Sequence, residues 1–175
     1  MSVFHPWSAM AMASTVWVLV ACNPTFNWRE LRLDGAPLLA LMPCKPETAT
    51  RPVPMLDQPT VLHMHSCETG GLTFAVAWAE LPDASKAVEA MDQWQAASLA
   101  AIRVAPANAQ AWGFQLAGVT AQRGLRAEGS DHQGQALQSQ TAYFSQGTKV
   151  YQAAIYGPRI ATDTSATFFD GLSLQ

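Results

Sequence analysis

The sequence predicts an α+β domain, in which one long and one short helix pack on an antiparallel β-sheet of about six strands. Two pairs of alternating apolar segments, each joined by a short turn that contains glycine, predict the sheet. A segment of helical periodicity lies between the two pairs. Strands that precede and follow a long helix are typical of this class, because helices can cover one face of such a sheet.

The strands predicted before the first hairpin are short and lie close to prolines. They cover residues 28–33, 38–42 and 51–56. In the first strand Leu31 and Leu33 alternate with charged residues, which is typical of a half-buried strand. Because proline has no N–H to donate to a neighbouring strand, Pro52 and Pro54 place the third strand at an edge of the sheet.

Two hairpins supply the other main strands. The first pairs residues 60–67 with 72–79, and the second pairs residues 137–144 with 150–156. Gly70 and Gly71 lie in the first turn, because glycine readily adopts the positive φ that a tight connection needs. The clearest strand of the chain has four large apolar residues on one face: Leu72, Phe74, Val76 and Trp78.

The long helix begins at Asp83, whose carboxylate can accept hydrogen bonds from the first free backbone amides. It ends before Pro106, because the residue that precedes a proline avoids the α region. Its predicted apolar stripe consists of Val88, Met91, Trp94 or Gln95, Leu99 and Ile102. This stripe predicts the face that packs on the sheet.

The remaining segments are shorter. Residues 111–116 predict a strand, whereas residues 117–135 are polar and rich in glycine and predict no clear element. A short helix follows the second hairpin, from about Thr162 or Asp163 to Leu172.

The composition excludes two classes of protein. Of the 175 residues, 49% are hydrophobic and 13% are charged, and the formal net charge is −3. A nucleic-acid binder needs a clustered positive excess, so nucleic acid is not an expected partner. High apolar content with low net charge also argues against disorder. The length fits a single folded domain.

The N-terminal segment predicts export. An apolar run at residues 9–21 would reach about 20 Å as a helix, short of the roughly 30 Å hydrocarbon core, so it fits the apolar part of a secretion signal. The four residues 19–22, Leu-Val-Ala-Cys, resemble the lipobox of bacterial lipoproteins. The resemblance implies cleavage before Cys22 and a diacylglyceryl group on its thiol. The alternative is that the run forms a buried N-terminal helix of the domain.

This resemblance also divides the chain and predicts its location. Residues 1–21 are the signal peptide, residues 22–27 are a lipidated tether, and residues 28–175 form one domain. Residue 23 is Asn rather than Asp, which implies the outer membrane, on its periplasmic face, rather than the inner membrane. The membrane is therefore a partner through the N-terminal lipid.

Lipidation of Cys22 would leave two cysteines in an oxidising compartment. Cys44 and Cys67 are then the only intrachain pair that can form a disulfide. The bridge closes a loop of about 24 residues, which the chain-entropy model values at roughly 3 kcal/mol.

Histidines next to the second of these cysteines suggest a competing metal site. On a strand, His63, His65 and Cys67 point to the same face, and two imidazoles with a thiolate, with Met42 or Met55 nearby, suit copper or zinc. Against this, a thiolate in a disulfide cannot be a ligand, and neighbours on one strand face lie about 6.5–7 Å apart. The other interpretation is a solvent-facing strand surface that carries two histidines.

Two segments resemble the PsbP-like α/β sandwich family. Residues 41–46, Leu-Met-Pro-Cys-Lys-Pro, are similar to the family's strand that ends in an apolar-Pro-Gly-Lys-Pro turn, with Cys44 where glycine is usual. Residues 166–174 are similar to its closing helix and final apolar tail, and the order of hairpins and helices fits over residues 28–174. The family has no common catalytic residues, and its members act mostly as binding or assembly-support modules.

The sequence therefore predicts a binding protein rather than an enzyme. It contains no nucleophile elbow, phosphate-binding loop, zinc-protease helix or dinucleotide fingerprint, so no catalytic residue and no cofactor is predicted. We expect a lipid-anchored, periplasm-facing module that binds a protein partner or a small ligand. The alternative is a copper- or zinc-binding periplasmic protein that uses His63 and His65.

Overall fold

The computed structural model describes residues 25–175, so the predicted signal peptide and Cys22 lie outside the described residues. The ten strands are β1 Arg29–Arg32, β2 Leu38–Met42, β3 Glu47–Met55, β4 Gln58–Thr69, β5 Leu72–Glu80, β6 Gln110–Trp112, β7 Ala121–Ser130, β8 Ala136–Gln146, β9 Lys149–Gly157 and β10 Ser173–Leu174. The two α-helices are α1 Ala87–Ala101 and α2 Thr162–Asp170, and short 3-10 turns lie at Ala84–Lys86 and Pro106–Asn108.

The α+β class is confirmed, but the described strands form two sheets instead of one. A seven-stranded sheet has the order β3-β4-β5-β9-β8-β7-β6, and a three-stranded sheet has the order β1-β2-β10. All paired strands are antiparallel. The prediction of about six strands was therefore too low for residues 25–175. The proline-bearing strand β3 is at an edge, as predicted.

Each face of the large sheet packs against a different layer. On β5, Phe74, Val76 and Trp78 belong to the core shared with the small sheet and α2. The alternate residues Ala77 and Ala79 belong to the core shared with α1. Because side chains along a strand alternate between faces, this strand is apolar on both sides. The large sheet is thus the central layer of the domain.

Strand β7 was not predicted from the sequence, and the strand predicted before it was too long. Residues 121–130 pair with β8 along their whole length, although the segment is polar and contains Gly124 and Gly129. A Cβ on Gly124 would lie 2.6 Å from the ring of Trp112, so glycine is needed for the ring to lie on this strand. The strand predicted at 111–116 is shorter and shifted, because only residues 110–112 pair with β7.

The start of the helical region is as predicted, but one residue of its stripe is not. The carboxylate of Asp83 accepts a hydrogen bond from the Ser85 amide at 2.8 Å, and a 3-10 turn precedes α1. Val88 is 51% exposed. Ala87, Ala90 and Met91 form the buried face at this end of the helix. Small alanines allow the helix to approach the sheet closely. The predicted stripe contains large apolar residues and therefore does not include these alanines.

Over residues 25–175, neither helix is long and apolar enough to cross a bilayer.

Candidate ligand-binding cleft

The structure brings the two predicted partner cysteines to disulfide distance. Cys44 lies in the link between β2 and β3, and Cys67 lies on β4. Their sulfur atoms are 2.13 Å apart and their Cα atoms 6.0 Å apart. The pair connects the exit from the small sheet to the second strand of the large sheet, so it fixes one layer of the domain to another.

The two histidines lie on the same face of β4, but this face is not a solvent-facing surface. His65 is 6% exposed, and its Nδ1 lies 3.2 Å from the hydroxyl of Thr48 on the edge strand. The His63 ring stacks on Trp78 of β5, with ring centroids 4.1 Å apart and an angle of 7° between the planes. The solvent-facing interpretation is therefore wrong for His65, because the layer that contains the small sheet covers it.

Burial lowers the pKa of His65, and the positive charge of a protonated His63 would lower it further. The carboxylate of Asp34, in the turn between β1 and β2, acts in the opposite direction. Burial has the largest effect, because the charged imidazolium loses hydration that Asp34 only partly replaces. His65 is therefore held in its neutral form near neutral pH.

The histidines lack a third metal ligand among their described neighbours. Within residues 25–175, no group of three His, Cys, Asp or Glu residues is placed to hold a metal ion. The sulfur of Cys67, the third ligand in the metal hypothesis, lies against that of Cys44. Metal binding by His63 and His65 stays a prediction without support from the geometry.

An apolar cleft lies on the opposite face of the same strands, between the large sheet and α1. Its volume is about 410 Å³. The main apolar side chains that line it are Val53, Met55, Leu62, Met64, Trp94 and Ile102. Leu62 and Met64 alternate with the histidines along β4, so one strand contributes to both faces. Cavities of a few hundred Å³ with mostly apolar walls are typical of small-molecule sites.

Polar groups are concentrated on the β9 wall of this cleft. Gln152 donates hydrogen bonds from Nε2 to the hydroxyl of Ser98 on α1 at 2.9 Å and to the hydroxyl of Tyr143 at 3.0 Å. These bonds use both N–H groups, so the amide oxygen remains available as an acceptor. Gln152 is mostly buried, and two partners fix its amide in one orientation.

The phenols near Gln152 are neutral. Burial raises the pKa of Tyr143 and also that of Tyr156, which lines the cleft. A desolvated phenol keeps its proton, because the phenolate would lose its hydration. These groups can therefore donate and accept hydrogen bonds, but they add no charge to the cleft.

The mouth of the cleft carries two longer polar side chains. Arg51, on edge strand β3, is exposed and is the charged residue of the lining. Gln93 of α1 accepts a hydrogen bond from the Leu56 backbone amide at 2.8 Å, which ties the helix to the turn after β3. The cleft thus has apolar walls, a polar patch at Gln152 and a cation at its rim.

The residues singled out from the sequence and the residues of the cleft are different sets. Cys44, Cys67, His63 and His65 lie outside the cleft, and Cys22 lies outside the described residues. The sequence carried one signal for the cleft: Gln152 is a polar residue within the otherwise apolar strand 150–155. A polar residue in a strand that is buried on both faces needs a buried partner, which points to a local polar site.

No protein-family model matches the chain, and no curated protein sequence matches it.

Proposed function

We propose that this chain is an exported lipoprotein whose single domain, a PsbP-like sandwich, binds a small and largely apolar molecule without transforming it. The observation that carries the binding proposal is the apolar cleft of about 410 Å³ between α1 and the large sheet. The lipobox-like residues 19–22 support the anchor, and the order of hairpins and helices supports the fold family.

The lining of the cleft favours a ligand with an apolar body and one hydrogen-bond donor. Leu62, Met64 and Trp94 offer apolar and aromatic surface to the body. Methionine adapts its shape to irregular ligands, because its side chain is unbranched and flexible. The amide oxygen of Gln152 would accept a hydrogen bond from a hydroxyl or amine, since its own N–H groups are already used.

The same lining favours binding over catalysis. General acid–base chemistry needs a group whose pKa lies near the working pH. The polar groups in the interior of this cleft are a fixed amide, a serine hydroxyl and a phenol whose pKa burial raises. These groups can orient a ligand, but they are poor proton-transfer groups near neutral pH.

The start of the described chain is compatible with a short tether to a membrane. The carbonyl of Thr25 accepts a hydrogen bond from the hydroxyl of Thr69 at 2.5 Å, and Phe26 packs on Phe74 at a centroid distance of 6.1 Å. Thr25 follows Cys22 by three positions, with Asn23 and Pro24 between them, which limits the reach to about 11 Å. A lipid on Cys22 would therefore hold the turn between β4 and β5 close to the bilayer.

A fluorescent ligand tests the binding proposal directly. We would titrate 1-aminoanthracene, a three-ring apolar molecule with one amine, into the full chain held in phospholipid nanodiscs, with empty nanodiscs as the blank. We expect saturable fluorescence above the blank. The substitution Ala97→Trp should weaken binding at least about tenfold, because Ala97 lines the cleft and the indole would occupy its volume.

The matched control is Ala100→Trp, an exposed position of the same helix that does not line the cleft. This variant should bind the probe as the unsubstituted chain does, and the thermal unfolding of both variants should show that they fold. Equal binding by the two variants, or no binding above the blank, would refute the proposed site.

A further inference from the structure

A second cavity lies on the opposite face of the large sheet from the apolar cleft, and its lining is polar. It measures about 430 Å³ and lies between strands β6–β8 and the first turn of α2. Polar side chains from the three strands and from α2 line it, among them Gln110, Arg126, Glu128, Gln140, Thr162 and Ser165. We refer to it as the polar groove.

Strand register builds the floor of the polar groove. Gln110 of β6 pairs with Arg126 of β7, which pairs with Gln140 of β8. The next row that faces the same side pairs Glu128 with Gln138. Five side chains that can form hydrogen bonds therefore lie in two adjacent rows on rigid strands.

Gln140 is the unusual member of this floor. It is 5% exposed, yet its amide takes part in none of the side-chain hydrogen bonds within residues 25–175. Within residues 25–175 the side-chain atoms buried without a hydrogen-bond partner are Trp78 Nε1, Ser145 Oγ and the Tyr151 hydroxyl, so the amide atoms of Gln140 are reached from the groove instead of being sealed in the core. Since Gln140 lines the groove, a ligand there can accept a hydrogen bond from the Gln140 N–H group and donate one to its amide oxygen.

Arg126 is held in place by an aromatic ring. Its guanidinium lies 5.5 Å from the centroid of the Trp112 ring. The indole N–H of Trp112 donates to the Thr141 carbonyl at 3.1 Å, and Gly124 leaves the space that the ring fills. A guanidinium above a fixed indole has a restricted orientation, so its N–H groups are prearranged for a ligand.

Glu128 gives the groove its opposite charge. One carboxylate oxygen of Glu128 accepts from the Gln138 amide at 3.2 Å, and Gln138 in turn accepts from the Ile160 backbone amide at 2.9 Å. The second oxygen of Glu128 is an acceptor that no described side chain uses. Because an anionic ligand would lie next to this carboxylate, the groove is poorly suited to phosphate or sulfate.

The α2 wall adds hydroxyl groups to the floor. The Ser165 hydroxyl donates to the Thr162 carbonyl at 3.0 Å, which leaves its oxygen free to accept. Asp163 already places a carboxylate in the first turn, where it accepts from the Thr164 amide at 2.8 Å. The positive end of the helix dipole is therefore partly compensated, which also disfavours an anion.

From this arrangement we propose that the polar groove binds a neutral, polyhydroxylated ligand such as a saccharide. Adjacent hydroxyls each donate and accept one hydrogen bond, and a carboxamide such as Gln140 offers both functions in one plane. Arg126 supplies donors, Glu128 supplies acceptors, and their charges cancel. The ligand differs in chemistry from that of the apolar cleft, and the two sites lie on opposite faces of the sheet.

Calorimetry on the full chain in nanodiscs tests the proposal with defined probes. We would titrate maltotriose, cellotriose and chitotriose, and separately inorganic phosphate. We expect saturable heat from at least one trisaccharide at millimolar concentrations or below. Gln140→Leu should weaken that binding at least about tenfold, because leucine keeps a similar size but removes the donor and the acceptor that Gln140 offers to the groove.

The matched control is Gln135→Leu, in the exposed turn between β7 and β8, which should bind as the unsubstituted chain does. Glu128→Gln provides a second variant that distinguishes the two ligand chemistries. It should weaken a saccharide, because a charged acceptor is lost, whereas it would strengthen an anion. Heat from phosphate alone, no heat from any trisaccharide, or unchanged binding in folded Gln140→Leu would overturn the proposal.

The apolar cleft is tested independently by its own probe. Ala97→Trp should leave saccharide binding unchanged, because Ala97 belongs to the other face of the domain. Failure of the aminoanthracene experiment and failure of the saccharide experiment therefore concern different sites.

Discussion

His65 is a titratable residue that the fold keeps neutral. Its imidazole lies under the small sheet, with the Thr48 hydroxyl as its hydrogen-bond partner and Asp34 in the turn that faces it. Desolvation lowers the pKa of His65 in the folded protein below the ordinary value of 6.5. The unfolded chain therefore binds a proton at this site at a pH where the folded protein does not.

Acid should destabilise the domain through this residue. As the pH falls below about 6.5, protonation of His65 favours the unfolded state, so the free energy of unfolding decreases. The pH dependence should flatten in His65→Gln, which cannot titrate, as measured by urea unfolding at a series of pH values. His132→Gln, at an exposed turn position, is the matched control and should keep the full dependence because His65 is intact. An unchanged pH profile in His65→Gln would contradict this account.

At the residue scale, the sequence predicted which cysteines pair, but it did not predict the surroundings of the buried glutamines. Counting cysteines predicted the pair that the structure brings together, because only two candidates remain once Cys22 is assigned to the lipid. The environment of Gln140 and Gln152 could not be predicted, since it depends on which strands are neighbours and which layer covers each face. Strand order and layer packing belong to the tertiary structure, which a local sequence pattern does not determine.

At the scale of elements, α1 shows why a periodic pattern identifies a helix but not its buried face. Residues spaced three or four apart can be grouped into more than one stripe, and burial of Ala87 and Ala90 rotates the observed stripe away from Val88. The neighbouring strand β7 was missed for a related reason. It is polar because part of its surface lines the groove, so its sequence lacks the alternation that reveals a strand.

Substitutions on α1 should distinguish Met91, which belongs to both the predicted stripe and the buried face, from Val88, which belongs only to the predicted stripe. Met91→Ala should reduce the free energy of unfolding by about 2–5 kcal/mol, because Met91 is fully buried against the large sheet. Val88→Ala should change it by less than about 0.5 kcal/mol, because Val88 is an exposed position. Denaturant unfolding of both variants measures the difference. A larger loss at Val88 than at Met91 would show that Val88 is buried, as the sequence predicted, and would contradict the observed orientation of the helix.

The bond between Cys44, which follows β2, and Cys67 on β4 should contribute measurably to the free energy of unfolding. Replacing Cys44 and Cys67 together by alanine opens the loop between two positions 23 apart in sequence and should cost about 3 kcal/mol, because the unfolded chain gains conformational freedom. The comparison is made by thermal unfolding of the double variant and of the unsubstituted chain without reductant. Reductant should lower the stability of the unsubstituted chain only. Thiols that titrate as free in the exported protein would contradict the pairing.

At the scale of the whole molecule, one central sheet separates two chemically different sites. The face toward α1 holds the apolar cleft, and the face toward α2 holds the polar groove. The sequence predicted the α+β class and the hairpins that build this sheet. It did not predict the second, three-stranded sheet, because the short strands β1, β2 and β10 come from opposite ends of the described chain and pair only after folding.

The proposed export and lipid anchor have two consequences for the folded domain. Export would account for a paired Cys44 and Cys67, because thiols oxidise outside the cytosol. A lipid on Cys22 would place the β4–β5 end of the domain near the bilayer. Both consequences depend on the processing of the N-terminal segment.

The intact mass of the chain extracted from membranes tests this central claim most directly. We expect the mass of residues 22–175 with acyl groups on Cys22, reduced by two hydrogen atoms for the bond between Cys44 and Cys67. A mass equal to that of the uncut 175-residue chain, with three free thiols, would contradict it.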